Sequence, residues 1–243
     1  MDKILEARDL SISFAGIKAV QHLSFSVERG ELFGLIGPNG SGKSTTVNMI
    51  AGNYIQDEGE ILFKGQPVSR KMSIARRAHL GMGRTFQTPR PFGNLSVYDN
   101  VFSILLQKYN FKEADLKAGE ILELSRLAPL SGLAASQLSI EKRKWLDLAR
   151  VLATEPEFVM MDEVMAGLNP NEMKESLEFV REINRRGITI LFIEHVMHAV
   201  VSVCTRVIVL NEGRFLYEGA PRAALEDQSV VEAYIGRKKN AQN

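Results

Sequence analysis

The sequence predicts an α/β fold with a largely parallel sheet, and three observations support this prediction. Short apolar segments that end in polar residues recur in the C-terminal half, at EFVMMDE, ITILFIE and RVIVLNEG. Segments with helical spacing of apolar residues separate them, as expected where crossover helices join parallel strands. Another apolar segment, ELFGLIG, runs directly into a glycine-rich turn and then a helix-like stretch, SGKSTTVNMIAG.

The N-terminal quarter is predicted to be mainly β-structure. Leu23, Phe25 and Val27 alternate with polar residues, which is typical of a half-buried strand. The segment EILFKGQPV is predicted to form a hairpin that turns at Lys64-Gly65.

The middle of the chain is predicted to be largely helical, with a break between Pro129 and Gly132. We therefore expect the 243 residues to form one domain in which a helical subdomain interrupts an α/β core. The predicted boundaries are 1–93 and 146–243 for the core and 94–145 for the helical subdomain.

Composition indicates a globular protein: 45% of residues are hydrophobic and 24% are charged. A formal net charge of +1 indicates neither nucleic acid nor an acidic surface as a partner, although it leaves a local basic patch open. The single cysteine, Cys204, cannot form an internal disulfide, which fits a reducing compartment.

No membrane or secretion segment is predicted. The N-terminal stretch MDKILEARDL is charged from its second residue, unlike a secretion signal. No apolar segment reaches the roughly 18 residues that a bilayer-spanning helix requires. The polar tail 236–243 is predicted to be frayed.

The glycine-rich turn GPNGSGKS, Gly37 to Ser44, fits the phosphate-loop pattern G-x-x-x-x-G-K-[ST], with a strand before it and a helix after it. Glycines let backbone N–H groups converge on phosphate oxygens, and the helix N-terminus adds the positive end of its dipole. Lys43 is expected to contact the β- and γ-phosphates, and Ser44 to offer a hydroxyl to Mg²⁺. A glycine-rich turn with a chance lysine would not explain all the fitting positions, so we predict nucleoside triphosphate binding.

Further candidate residues follow the apolar strands. Asp162 and Glu163 lie where ligands bind on parallel sheets, and we expect Asp162 to hold Mg²⁺ through water and Glu163 to polarise an attacking water. His195 follows ITILFIE and could hydrogen-bond a γ-phosphate, and Gln87 lies in RTFQ. Alone, such a histidine is more often structural, and such an acidic pair more often belongs to a solvated loop. Glu163 together with His195 favours hydrolysis over transfer to an acceptor.

These motifs, in this order and over nearly the whole chain, resemble ATP-binding-cassette (ABC) ATPases. The resemblance implies a P-loop NTPase with a RecA-like core, an antiparallel β subdomain and an inserted α-helical subdomain. It also implies ATP hydrolysis with ATP and Mg²⁺ as cofactors, and it matches AGLNP from Ala166 to the D-loop. It assigns nucleotide binding to Phe14 (as the aromatic that stacks on adenine), Val20, Asn39, Gly40, Ser41, Gly42, Lys43, Ser44, Thr45 and Ser139. Catalysis is assigned to Glu163, His195 and Gln87, and metal binding to Ser44, Gln87 and Asp162. Phe14 alone would more often be a core residue.

ABC ATPases work as head-to-tail dimers in which a signature loop, usually Leu-Ser-Gly-Gly-Gln, closes on ATP held by the other subunit. LSIEK from Leu138 matches its position, with Ser139 suited as the N-cap of a helix; LSGLA from Leu130 lies too far upstream. Ile140 and Glu141 replace the two glycines. Glu141 either brings an anion towards phosphate or points into solvent. We infer that this chain's own phosphate-loop site is catalytically complete if a partner supplies a good signature loop, and that the site this chain completes on its partner is weak or merely regulatory. We therefore expect a heterodimer with unequal sites.

Softer similarities concern the transported compound. Four segments are most similar to ATPase subunits of branched-chain (hydrophobic) amino acid importers: GRTFQTPRPFGNLSVYDNV, AGLNP, FIEHVMHAV and VVEAYIG. That similarity implies a second ABC ATPase subunit, membrane permeases and, indirectly, an external solute-binding protein as partners, with no nucleic acid. It places the chain at the cytoplasmic face of the inner membrane, as a peripheral subunit.

Several alternatives remain open. LSVYDN is also similar to the lipopolysaccharide-export ATPase, and Val164-Met165 departs from relatives that have proline after the glutamate. Another exporter, an ABC ATPase of translation or DNA repair, or an ATP-binding switch without turnover would also fit parts of the pattern. Permease docking is expected at an apolar groove, which could instead be a buried seam. Its residues are Phe86, Pro89, Pro91, Phe92 and Tyr98.

Overall fold

The computed structural model describes residues 2–235, which fall into two compact units. The first unit contains the described residues up to Ile74 and those from Thr189 onward, and the second contains Ala75–Ile188. The predicted helical subdomain, 94–145, lies within the second unit, and the helix at its end continues to Leu152. The predicted tail, 236–243, lies outside the described residues.

The described residues form both strands and helices, and the two alternate from β7 to β9 as expected for an α/β protein. The strands are β1 (Lys3–Phe14), β2 (Ile17–Glu28), β3 (Leu32–Ile36), β4 (Glu58–Phe63), β5 (Gln66–Pro67), β6 (Met82–Arg84), β7 (Phe158–Asp162), β8 (Thr189–Ile193), β9 (Arg206–Asn211) and β10 (Arg214–Gly219). The helices are α1 (Lys43–Ala51), α2 (Ile74–His79), α3 (Val97–Leu105), α4 (Phe111–Leu124), α5 (Ile140–Leu152), α6 (Pro170–Arg185), α7 (Met197–Val203), α8 (Pro221–Glu226) and α9 (Gln228–Ile235).

The first unit contains two groups of paired strands. One is an antiparallel sheet in the order β2-β1-β4-β5. Leu23, Phe25 and Val27 are buried along β2, and Lys64-Gly65 connect β4 to β5, so both sequence-based predictions for this region are confirmed. In the other group, β3 is parallel to both β8 and β9, and β10 pairs antiparallel with β9.

The central strand of the parallel group explains the continuous apolar stretch in the sequence. Every residue of β3 is buried, as is every residue of β8, because neighbouring layers cover both faces of such a sheet. The carboxyl ends of β3, β8 and β9 therefore lie at one edge. At that edge β3 leads into the glycine-rich turn and α1, which ends at Gly52 in a left-handed conformation.

The second unit pairs β6 in parallel with β7, and polar side chains cap the starts of α3, α4, α5 and α6. Asn110 and Asn169 each form a reciprocal capping box with the glutamate three residues later. Ser139 caps α5, as predicted, and the predicted break near Pro129 is a 3₁₀ turn at Ala128–Leu130. Among the residues that the model describes, no helix is both long and apolar enough to cross a membrane.

A partly exposed carboxylate network links the segment just after α5 to α4 and to the connection between α3 and α4. Glu155 accepts hydrogen bonds from Lys108, from Lys117 at 2.8 Å and from the Tyr109 hydroxyl at 2.5 Å. Burial alone would raise the pKa of Glu155, but these three donors outweigh it and lower the pKa to about 2. Because the folded-state pKa lies below the unfolded value of about 4.3, the network stabilises the fold above that pH and loses its effect as pH falls towards 2.

We predict that Glu155→Gln lowers the free energy of unfolding at pH 7 by about 1 kcal/mol, the scale of a partly exposed ion-pair network. As pH falls, Glu155 of the unfolded wild-type chain is protonated at a higher pH than Glu155 of the folded chain, which favours unfolding. The difference in stability between wild type and variant should therefore be smaller at about pH 3.5 than at pH 7. Urea unfolding at both pH values measures this, with the exposed Glu123→Gln in α4 as the control. A difference that grows as pH falls would contradict the network's role.

Candidate nucleotide-binding and catalytic site

The glycine-rich turn after β3 is shaped by contacts that exclude side chains. Gly37 has φ 148°, and a Cβ on it would lie 2.2 Å from the Leu210 carbonyl oxygen at the end of β9. Gly42 has φ 99°, and a Cβ there would lie 2.8 Å from the Ala19 carbonyl oxygen. Both positions therefore require glycine for the local packing itself, independently of any ligand.

Lys43 joins the two ends of this turn. Its side chain is 6% exposed, and its ammonium donates to the carbonyl oxygens of Gly37 at 2.7 Å and Pro38 at 3.0 Å. Ser41 is buried, with its N–H donating to Pro38 and its carbonyl accepting from Gly213.

Of the other predicted loop residues, the structure leaves Asn39, Gly40 and Ser44 exposed and Thr45 half-buried at the start of α1. The loop thus presents its exposed backbone and the Ser44 hydroxyl at the N-terminus of α1, a helix of nine residues.

A small exposed aromatic surface lies at the end of the β1–β2 hairpin in the same unit. Phe14 is 42% exposed, and its ring makes an edge contact with Tyr54, the ring centroids being 5.1 Å apart. Ile17, which is opposite Phe14 in the strand register, is also exposed. Val20 is instead buried beside Gly42 and supports the loop from within.

Tyr54 was not predicted from the sequence. Its signal would have been an aromatic residue shortly after the glycine that ends α1. Such a residue is equally compatible with a core position, so the sequence alone does not single it out.

His195 lies at the same sheet edge as the glycine-rich turn. It follows β8 by two residues and is exposed, and β8 is parallel to β3. The first unit therefore presents the loop and His195 at the carboxyl ends of adjacent strands, where ligands bind on open α/β sheets.

In the second unit, the acid that ends β7 is paired with an arginine. Arg84 at the end of β6 lies 3.1 Å from an Asp162 carboxylate oxygen, and both side chains are at most 13% exposed. The Asp162 N–H donates to the Thr85 hydroxyl oxygen at 3.3 Å. Sequence reasoning missed Arg84, although it begins the RTFQ motif. Its partner depends on the register of β6 against β7, which local sequence does not reveal.

The next residue, Glu163, contacts the predicted glutamine. The Gln87 amide donates to a Glu163 carboxylate oxygen at 2.5 Å. Glu163 itself has φ 50°, which is uncommon for a residue with a side chain and often marks functional positions. The structure thus brings together two of the three residues predicted to act in catalysis.

The predicted signature segment is occupied largely by contacts within its own unit. The Ser139 hydroxyl oxygen accepts the Lys142 N–H, and Ile140 is 63% exposed. Glu141 is buried and lies 3.4 Å from the Lys142 ammonium, so its carboxylate does not point into solvent. Burial raises the pKa of Glu141, with Lys142 opposing this and Glu172 adding to it.

The glycine-rich turn of the first unit has donors that fit the phosphates of a nucleoside triphosphate, and each unit, taken by itself, offers oxygen atoms that suit a hard divalent cation. Glycine backbone without Cβ atoms, an adjacent lysine and a helix N-terminus suit phosphate oxygens. The Ser44 hydroxyl and the Asp162 carboxylate are oxygen ligands of the kind that Mg²⁺ prefers.

Comparison with known proteins identifies the family. The family model described as ABC transporter matches residues 20–166, which include the glycine-rich turn, Gln87 and the Asp162-Glu163 pair. The chain belongs to the ABC transporter family.

Three relatives illustrate its similarities. The probable branched-chain amino acid transport ATP-binding protein of Methanocaldococcus jannaschii is 34% identical, over 96% of this chain and 98% of that protein. The lipopolysaccharide export system ATP-binding protein of Haemophilus influenzae is 30% identical, over 97% and 98% respectively. A crystal structure of an ATP-binding cassette of an ABC transporter, in its ADP conformation, superposes with a TM-score of 0.88 and 32% identity. The match covers 98% of this chain and 100% of that chain.

The family assignment confirms several expectations. The fold is that of an ABC nucleotide-binding cassette, and the chain is an ATP-binding domain of a family that hydrolyses ATP. ABC ATPase domains act as dimers with membrane permease partners.

We predict that Lys43→Ala weakens ATP binding by roughly 100-fold or more, because the buried ammonium supports the loop and is the charge available to the phosphates. Isothermal titration with ATP measures the change. Lys71→Ala, an exposed lysine of the same unit, is the matched control and should bind normally. Unchanged binding by a folded Lys43→Ala variant would refute the phosphate-loop assignment.

Proposed function

We propose that this ABC ATPase energises the uptake of branched-chain or other hydrophobic amino acids, or related small solutes, across the bacterial inner membrane. Hydrolysis would use Glu163 to polarise the attacking water, with Gln87 and His195 contacting the reacting groups. The observation that carries the hydrolytic part is the hydrogen bond between Gln87 and Glu163 directly after the Asp162–Arg84 pair.

Each proposed role follows from the chemistry of the side chain. A carboxylate can accept a proton from water and orient it, and Gln87 holds the Glu163 carboxylate in one direction. An exposed imidazole such as His195 can donate a hydrogen bond to a phosphate oxygen. Catalysis of this kind depends mostly on positioning and charge neutralisation.

Adenine recognition is assigned to the aromatic surface in the first unit. Phe14 offers an exposed ring face, and its edge contact with Tyr54 restricts the ring's orientation. The loop backbone with Lys43, Ser44 and Thr45 takes the phosphates, with Val20 behind it.

Mg²⁺ is assigned to the oxygens of Ser44, Asp162 and Gln87, and when bound it would neutralise phosphate charge. Arg84 keeps the Asp162 carboxylate oriented through a largely buried ion pair. Asp162 therefore has a defined geometry before any cation binds.

We predict that Glu163→Gln retains ATP binding but lowers the hydrolysis rate about 100-fold or more, the scale expected for loss of a positioned general base. Phosphate release by the full chain, alone and with its partner cassette, measures this. Glu120→Gln, an exposed glutamate in α4, is the control. Persistent hydrolysis would contradict the role of Glu163, and ATP binding without hydrolysis in the native complex would favour a switch.

The same assay tests the proposed heterodimer with unequal sites. Because Ile140 and the buried Glu141 stand where the family has glycines, the site that this chain completes on its partner should contribute little. Glu163→Gln should therefore abolish most turnover of the complex, whereas the partner's corresponding variant should not. Equal losses from both variants would refute the asymmetry.

Docking to the permease is assigned to the aromatic loop between β6 and α3. Phe86 and Phe92 are about half exposed, at 47% and 53%, which supports a partner surface over a buried seam. Pro89, Pro91 and Tyr98 are half-buried around them. Apolar exposure of this density in a loop is typical of a partner surface. We accordingly place the chain as a peripheral subunit at the cytoplasmic face of the membrane, with an external solute-binding protein as an indirect partner.

The choice of amino acids over lipopolysaccharide rests on the importer-like motifs and on the departure from an intact signature. Relatives of both kinds have similar identity to this chain, at 34% and 30%. Importers that pair two different ATPases provide a place for a subunit with a poor signature loop.

We predict that cells lacking this chain take up labelled leucine, isoleucine and valine more slowly. The native chain should restore uptake and Glu163→Gln should not, because transport needs hydrolysis. Unchanged amino acid uptake combined with lipopolysaccharide retained at the inner membrane would instead show the exporter function.

A further inference from the structure

The loop that follows Glu163 has an ordered but locally unfavourable backbone. Glu163 adopts a left-handed conformation, and two turns follow, closed by Ala166 N–H to the Glu163 carbonyl at 3.2 Å and Leu168 N–H to the Met165 carbonyl at 3.3 Å. Such a backbone at a residue with a side chain persists only where its surroundings hold it. Valine at position 164 is compatible with it, whereas proline there would favour an extended residue 163.

One side chain from α5 holds this loop from outside. The Lys144 ammonium donates to the carbonyl oxygen of Val164 at 3.1 Å and also to that of Ala166. An ammonium has three donors and no acceptor, so it suits two carbonyl groups that point in one direction. The Val164 carbonyl belongs to the peptide group just before the buried Met165, and the Ala166 carbonyl belongs to the peptide group that joins Ala166 to Gly167.

The helix that carries Lys144 is itself firmly supported. Ser139 caps its first turn, and the Lys142 ammonium lies 3.4 Å from the centroid of the Trp145 ring. The Trp145 N–H donates to the Ser176 hydroxyl of α6 at 2.9 Å in a buried contact. Since α6 begins at Pro170, immediately after the loop, the loop leads directly into a helix that is itself bonded to α5.

We propose that Lys144 is a positioning residue for Glu163. By holding the Val164 and Ala166 carbonyls, it sets the direction of the backbone from which the Glu163 carboxylate projects, while Gln87 holds the carboxylate itself. The helix whose start matches the signature loop thus supports the catalytic carboxylate of its own chain. This inference rests on the proposed role of Glu163 in hydrolysis.

The proposal separates Lys144 from its basic neighbours. Lys142 pairs with Glu141, and Arg143 donates to the Leu138 and Ser136 carbonyls, so both act within the start of α5. Among the cations of this turn, Lys144 is the one with bonds to the loop after Glu163 in the described contacts.

The test combines a loop measurement with a kinetic one. Lys144→Met keeps the length of the side chain and removes its donors, Lys144→Arg keeps the charge and donors, and Lys174→Met removes an exposed lysine of α6 as a control. Hydrogen exchange of the Ala166 and Leu168 amides should become about tenfold faster in Lys144→Met, because the two turns lose the hydrogen bonds that Lys144 donates to the Val164 and Ala166 carbonyls. It should be unchanged in Lys174→Met and largely restored in Lys144→Arg.

In steady-state ATP hydrolysis by the full chain with its partner cassette, Lys144→Met should lower kcat about tenfold or more while KM stays within about twofold. Small displacements of a catalytic group have effects of this size, and Lys144 is assigned no contact with the nucleotide. Lys144→Arg should recover most of kcat.

Each outcome bears on one claim. Unchanged exchange, or faster exchange with unchanged kcat, would overturn the positioning role of Lys144. A raised KM with normal kcat would show a binding role and overturn it too. If Lys144→Met does not fold, Lys144→Arg and Lys144→Gln are compared instead. Equal amide exchange and equal kcat in these two variants would overturn the positioning role. Absence of hydrolysis by the native complex would refute the proposed function instead, and the exchange measurement would still test the contact.

Discussion

Close approach of backbone to backbone at the start of the glycine-rich turn is the constraint on which the nucleotide site depends. The Leu210 carbonyl at the end of β9 occupies the space that a side chain on Gly37 would need. Because β3 and β9 are parallel and in register, this approach follows from the sheet itself. The turn is thereby directed into α1, and Lys43 closes it from the helix side through two carbonyl groups. Phosphate chemistry then uses a loop whose shape the packing has already determined.

The second unit meets a different requirement, which is to hold two adjacent carboxylates in defined directions. Asp162 is fixed by an ion pair with Arg84, whose removal would leave a largely buried charge uncompensated. Glu163 is fixed by an amide donor, Gln87, which adds no charge. In the roles that we propose, Asp162 faces a cation and Glu163 orients a water molecule. A neutral amide suits Glu163 because it directs the carboxylate without adding a competing positive charge.

How much could be predicted from the sequence depended on the range of the interactions involved. The strands β3, β7 and β8 are buried on both faces, so their sequences are continuously apolar and easily identified. The glycine-rich turn was predictable because its residue types are required within eight consecutive positions. Caps such as Ser139 are local as well, and the structure agrees with the prediction.

Features that depend on distant partners were not predictable in the same way. The partner of Arg84 is set by strand pairing across more than seventy residues of chain. The burial of Glu141 depends on how α5 packs near Glu172 and Glu175 in α6, so a charged residue in a first helical turn gave no indication of it. Tyr54 contacts Phe14 only because the chain returns to the hairpin after α1.

In the signature segment, LSIEK from Leu138, long-range contacts determine which side chains are exposed and which are buried. At about 4 Å, an ionised Glu141 would repel a partner's phosphate by about 4 kcal/mol at an effective dielectric of 20, which corresponds to roughly a thousandfold in affinity. Its ion pair with Lys142 offsets this charge within the same helix turn, and Ile140 presents an exposed apolar surface where the family has backbone. In the arrangement that we propose, a triphosphate brought by a second cassette would therefore meet the exposed Ile140 side chain rather than the backbone N–H groups of glycines. The first turn of α5 is organised around its own unit. In the heterodimer that we propose, the intact signature loop therefore comes from the partner cassette and closes on this chain's own phosphate loop.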